Sequence, residues 1–340
     1  MKKKLYIMLL SALTLGGTFT SCSDNHMESV NTDDTKSPTI NPNAQLTTAL
    51  LPTYGDFGLM DTYRSYITGF TQYFAGGWNV SFYAGAVNPD NDQMRLIWDQ
   101  YYSVGIKNLV DAIHNSKDMP NTNAALRIHR VYLMSILTDT YGDIPCSEAG
   151  LGFIEGISNP KYDKQEDIYN WFFAELKDCV SQLGTGSDRI SGDVTSLNGD
   201  TDLWKKYANS LILRFAMRIS DVNPALAQQE FEGVLASESG YIGNSNENAY
   251  VKYLDAPFTL YDGSRDLDFR ANALSEILYG QDPTSPTFVC STLYNMLKDN
   301  NDPRLLKICR NYINTTRSET KPEGCFDVTD DMVAWENAGG

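Results

Sequence analysis

The sequence predicts a mainly α-helical fold, and three observations predict it. Apolar residues recur at spacings of three and four along several segments between Trp98 and Val234. Those segments are separated by breaks rich in Gly, Pro, Asn and Ser, and they return as helix, turn, helix roughly every 30 to 40 residues.

Each element has its own justification. Trp98, Tyr102, Ile106, Leu109 and Ile113 line one face of a first helix, which "NSKDMPNTN" interrupts. "AALRIHRVYLMSILTDT" carries Ile128, Tyr132 and Ile136 on one face and Leu126, Leu133 and Leu137 near another, so this helix is expected to be buried on more than one side. It stops at "YGDIP", where Gly142 and Pro145 disfavour continuation. From about Lys164 a third helix sets Ile168, Phe172, Leu176, Cys179 and Leu183 on one face. The Gly/Ser-rich loop "GTGSDRISGDVTSLNGD" leads to a fourth, with Trp204, Ala208, Leu211, Phe215 and Ile219. Asn223 as N-cap and Pro224 in the first turn then start a fifth, with Ala227, Phe231 and Val234. Paired helices of this length match a tetratricopeptide-like solenoid, with an irregular helical bundle as the alternative, and in either case neighbours must stack to bury their apolar faces.

The N-terminus reads as an address. "MKKKLYIMLLSALTLGG" has three lysines, a short apolar core and small residues, the layout of a secretory signal peptide, here residues 1–21. That core is too short to cross a bilayer. "F-T-S-C" resembles a bacterial lipobox, which makes Cys22 the expected lipid-attachment residue and the membrane contact an acyl chain. The polar run over 22–40 is expected to be a flexible tether, leaving 41–340 as the folded domain.

Composition excludes several functions. The chain has 27 Lys and Arg against 43 Asp and Glu, a formal charge of −16 that removal of Lys2, Lys3 and Lys4 makes more negative. Nucleic acid is therefore not an expected partner. Cys146, Cys179, Cys290, Cys309 and Cys325 are odd in number without Cys-x-x-Cys spacing, which argues against a disulfide framework and a zinc site. His26, His114 and His129 are scattered. Neither a nucleophile elbow nor a phosphate loop occurs, and nothing marks a hydrolase carboxylate pair among the acids. No cofactor, metal or catalysis is expected.

Four strings then carry a resemblance. "AALRIHRVYLMSILTDTYGDIPCSEA", "YDKQEDIYNWFFAELKDCVSQL", "DLWKKYANSLILRFAMRIS" and "STLYNMLKDNNDPRL" occur in the order found in SusD/RagB-family lipoproteins, which the chain resembles over roughly 41 to 305. Cys146 stands where that pattern usually has an aromatic. The resemblance implies a tetratricopeptide-like helical scaffold with irregular loops and a few short strands. It also implies a non-catalytic, lipid-anchored protein on the exterior face of the outer membrane, and the acidic run from Ser23 resembles the surface-export signal of Bacteroidetes lipoproteins. Such a protein binds oligosaccharides and passes them, as a lid, to a SusC-like TonB-dependent transporter, or imports peptides in the same way. Family members usually continue well beyond N-D-P-R-L, so the resemblance implies a chain incomplete at its C-terminus.

Sugar recognition favours exposed aromatics beside amides and carboxylates, because a pyranose face stacks on a flat ring while polar groups take the hydroxyls. "TQYFAGGWNVSFYAGAVNPDND" holds Trp78, Phe82 and Tyr83 close to Asn79, Asp90, Asn91 and Asp92. The family's ligand contacts in this part of the chain imply Trp78 and Asn79 first; the alternative is that these rings cap the solenoid. "YLDAPFTLYDGSRDLDFR" supplies a second set, Tyr261, Arg265 and Asp266, and lacks the distal Glu of a complete Ca²⁺ loop. Asp139, Tyr141 and Asp143 are expected to finish a helix and turn, and Asn209, Arg214 and Arg218 to join helices, rather than to bind ligand.

Overall fold

The computed structural model describes residues 41–55, 57–76, 80–253, 287–312 and 325–327. Met1–Ile40 forms one unit, outside the described residues with the signal peptide, Cys22 and the tether; Asn41–Gly340 forms another. The account below concerns the second.

Its scaffold is helical. α1 (Pro42–Leu50) begins at Asn41, whose side chain accepts from the backbone N–H groups of Asn43 and Ala44, with Pro42 in the first turn. This is the same Asn-Pro start that opens α6 (Pro224–Leu235), where Asn223 accepts from Leu226 N–H. Between them run α2 (Lys107–His114), α3 (Pro120–Tyr141), α4 (Gln165–Gln182) and α5 (Thr201–Arg218). α3 packs on α4, α4 on α5 and α5 on α6, the stacked pairs of a tetratricopeptide-like fold.

α3 is the central post. Leu126, Ile128, Val131, Leu133, Met134 and Leu137 are all buried, which accounts for its near-continuous apolar character. Its first turn is capped across space: Asp188 accepts from the N–H groups of Asn121 and Thr122 and from the Thr122 hydroxyl. His129 lies inside α3 as a core residue, its Nε2 3.2 Å from the Ala49 carbonyl, and burial lowers its pKa to about 4.

The first helix differs from the pattern read in the sequence. Leu96–Gln100 runs into a wide turn, Tyr101–Ile106, before α2. A wide turn holds more residues than an α turn, so it rotates the buried line. Ile97, Tyr101, Ile106, Leu109 and Val110 are buried, while Trp98, Tyr102 and Ile113 pack only partly against the core. Gly105 fits the close approach here: a Cβ would lie 2.5 Å from Leu133 Cδ1, so a side chain at this position would force Leu133 to shift.

Polar links fasten the pairs. Arg127 on α3 donates to both Glu175 oxygens on α4, each at 2.8 Å, and pairs with Asp178. Lys177 pairs with Glu230, joining α4 to α6. Asn209 donates to the Gly240 carbonyl and Arg218 pairs with Asp139, as the structural reading of both expected. Arg214 is exposed and forms no ion pair among the described residues. Asp143 accepts from Gln165 N–H and Lys164, fastening the start of α4, and the Tyr141 hydroxyl donates to the Met94 carbonyl. The "YGDIP" residues are thus joints of the scaffold.

Four short strands are described: β1 (Phe74–Gly76) pairs antiparallel with β2 (Thr287–Val289), and β3 (Arg310–Tyr312) with β4 (Cys325–Asp327). α7 (Ser291–Asp299) follows β2 directly. No helix among the described residues is long and apolar enough to cross a membrane.

Candidate functional site

The candidate site grows out of the segment between α1 and α2. A wide turn at Tyr63–Ile67 leads into Thr68–Phe70, and a second at Ser81–Gly85 folds back against it. The two approach so closely that a Cβ on Gly69 would sit 2.5 Å from the Ala84 Cβ. Tyr66 is the buried post between them. Its hydroxyl donates to the Asn88 carbonyl at 2.8 Å, and burial pushes its phenol above the ordinary value.

On that post the outer rings are layered. Tyr83 stacks on Tyr66 with centroids 5.0 Å apart and planes at 26°, and Phe70 stacks on Tyr66 at 6.0 Å. Phe82 meets Tyr83 edge-on at 5.0 Å. Asn88 Nδ2 donates to the Phe82 carbonyl and fixes the turn that carries these rings. Tyr83 is half-buried, a supporting layer, whereas Phe82 is 59% exposed and Phe70 53%. Two flat apolar rings are thereby held in water by a rigid foundation.

The rim is polar. One Asp90 oxygen accepts from the N–H groups of Asp92 and Gln93 and caps the short helix Asn91–Met94. Asn91 is exposed, and its side chain forms no hydrogen bond among the described residues. Arg95 is held between Asp92 and Asp99. Val87, between rings and rim, has φ +53° and is 70% exposed. A β-branched residue in that region is strained, and such strain concentrates where a loop recognises something.

Five of the residues read from the sequence are therefore brought together: Phe82 among the exposed rings, Tyr83 beneath them, Asp90 as the cap, and Asn91 and Asp92 at the rim. Trp78, Asn79, Tyr261, Arg265 and Asp266 lie outside the described residues. Sequence reasoning missed Phe70, Tyr73 and Phe288, all exposed. Phe288 arrives by strand pairing: it stands opposite Ala75 across β1 and β2, Cys290 N–H donates to the Tyr73 carbonyl, and Thr292 donates to Gln72. A pairing across that much sequence leaves no local signal; Tyr73 lies within the loop already singled out and Phe70 just before it, so both could have been found there.

The site offers stacking faces and amide and carboxylate partners, the chemistry of sugar binding. Residues 34–331 match a SusD-like family described as "Starch-binding associating with outer membrane". Among solved structures, a SusD-like protein from Bacteroidetes AC2a is 39% identical with a TM-score of 0.74, the match covering 88% of this chain and 56% of that one. A chitin-binding protein is 32% identical with a TM-score of 0.67, covering 84% and 59%. A SusD homologue from Bacteroides uniformis is 28% identical with a TM-score of 0.61, covering 78% and 54%. The chain thus spans less than two thirds of the length of these relatives. Curated proteins give no match.

Proposed function

As this chain belongs to the SusD-like family, we propose that it is a cell-surface, outer-membrane lipoprotein that binds oligosaccharides and passes them to a SusC-like TonB-dependent transporter, over which it acts as a lid. The observation that carries this reading is the outer layer of Phe70 and Phe82, exposed yet built on the buried Tyr66. Exposing such rings has no benefit for folding, and a sugar face recovers the lost burial. The chemistry of this reading is binding and release.

Trp78 and Asn79 fall between Gly76 and Val80, at the edge of this layer in sequence, and we assign them ligand contact together with Tyr83, Asp90 and Asn91. Tyr261, Arg265 and Asp266 form the second contact set. Cys22 carries the lipid after removal of residues 1–21, residues 22–40 are the tether, and 41–340 the binding domain. The matched chitin-binding structure and the starch-binding family description make β-1,4-linked N-acetylglucosamine and α-glucan chains the first ligands to try.

A thermal unfolding scan against glycans and short peptides tests the reading, because a ligand bound only by the folded state raises the midpoint. A rise with one glycan class supports it. A rise with peptides alone replaces it with a peptide-importing lid.

A further inference from the structure

A second aromatic surface lies outside the site above, around Trp98. Tyr162 stacks on Trp98 with centroids 6.2 Å apart and planes at 26°, while Tyr102 and Tyr141 close in on the same indole at 4.7 and 5.4 Å. Tyr102 and Tyr141 are structural: their hydroxyls donate to the Pro145 and Met94 carbonyls, each at 2.6 Å. Tyr162 is different. It is 65% exposed, yet its backbone is pinned on both sides.

Before it, Lys161 N–H donates to the Glu148 carboxylate at 2.9 Å. After it, Asp163 exchanges two backbone hydrogen bonds with Ile144, and its carboxylate accepts from Cys146 N–H, Ser147 N–H and the Ser147 hydroxyl. An exposed aromatic fixed this firmly is preorganised: little freedom remains to be lost on binding.

The polar groups of the pair are also unused. Neither the Tyr162 hydroxyl nor the Trp98 indole N–H has a hydrogen-bond partner among the described residues. The buried unpaired side-chain atoms among those residues are Gln45 Oε1, Gln93 Oε1 and Arg130 Nε, so the indole N–H reaches solvent. A flat face beside a free N–H and a free O–H suits a pyranose, which presents an apolar face and a belt of hydroxyls.

We propose that Trp98 and Tyr162 form a second sugar-stacking subsite, which extends the glycan path from the Phe82 layer along the short helical segment from Asp90 to Trp98. This rests on the glycan-binding reading above. The two surfaces are linked in the chain, because Asp90 caps Asn91–Met94 and the Met94 carbonyl accepts from Tyr141, the ring packed edge-on against Trp98. A short sugar then occupies the Phe82 layer alone, and a longer chain reaches Trp98 and Tyr162.

The test titrates the full chain and its Tyr162→Ala, Tyr162→Trp and Phe82→Ala variants with chitohexaose, maltohexaose and the corresponding disaccharides. Tyr162→Ala is expected to weaken the bound hexasaccharide about fivefold or more while leaving its disaccharide unchanged, and Tyr162→Trp to retain the wild-type preference for length. Phe82→Ala is expected to weaken both lengths. Equal hexasaccharide affinity in wild type and Tyr162→Ala overturns the subsite and leaves the glycan reading standing, even where that variant loses a protein partner instead. An equal loss for both lengths in Tyr162→Ala, unrepaired by Tyr162→Trp, also overturns it. Wild-type protein that binds none of the four sugars but binds peptides removes the glycan reading and the subsite with it.

Discussion

Replacing Arg127 by Met should destabilise the scaffold by about 3 kcal/mol, at the low end of the cost of breaking a buried ion pair. Arg127 and Glu175 are each only 15% exposed, and the guanidinium donates to both carboxylate oxygens at 2.8 Å and to Gln182 at 2.9 Å. Removing it strands the Glu175 charge between α3 and α4. The third partner, Asp178, is 60% exposed and is rehydrated at little cost, which keeps the estimate from rising. The double variant Arg127→Met, Glu175→Leu removes the stranded charge and should recover about 2 kcal/mol of the single-variant loss as coupling energy. Urea unfolding of the wild type, both single variants and the double variant reads the cycle. A single-variant loss under about 1 kcal/mol, or strictly additive losses, would refute the claim that this pair fastens the helices.

Buried neutral His129 gives a pH dependence. Its folded pKa is about 4 against 6.5 for the ordinary group, so the unfolded chain binds the proton first. Its stabilising share is complete above about pH 6.5 and is lost as pH falls toward 4, on the order of 3 kcal/mol in all; the unfolding midpoint of wild type should drop more steeply from pH 7 to 5 than that of His129→Gln. Gly105→Ala forces a methyl against Leu133 and should cost about 1 to 3 kcal/mol, whereas Gly233→Ala, on α6 with nothing within 4 Å, should add up to about 1 kcal/mol. Calorimetric melting of both separates crowding from helix propensity, and a stabilised Gly105→Ala would contradict the close approach of the wide turn to α3.

The helices α4 and α5 were legible because each buries an unbroken stripe: Ile168, Phe172, Leu176 and Cys179 on α4, and Trp204, Ala208, Leu211 and Phe215 on α5, are all buried at the spacing the sequence shows, while Tyr132 and Ile136 on α3 and Phe231 on α6 are only partly buried. The Trp98 face was misread because periodicity assumes a constant turn, and the wide turn at Tyr101–Ile106 moves the core line to Ile97 and Tyr101. α1 carries the same Asn-Pro signal as α6 and was passed over beside the polar run before it. At the site, the crowding of aromatics and polar residues in one loop was visible, but not which ring supports and which is presented. Tyr66 becomes the post only because two turns separated in sequence enclose it, and Phe288 joins by strand pairing. Asp90 was read as a ligand contact, and one of its oxygens is engaged in capping.

The most direct test of the central claim, that the rings on the Tyr66 post stack against sugar, is saturation-transfer NMR on the purified chain with chitohexaose or maltohexaose. Saturating the aromatic protons should pass magnetisation to the C–H protons on one face of the sugar, strongly in wild type and weakly in Phe82→Ala. Equal transfer in both proteins, or none in either while a peptide receives it, would contradict the account.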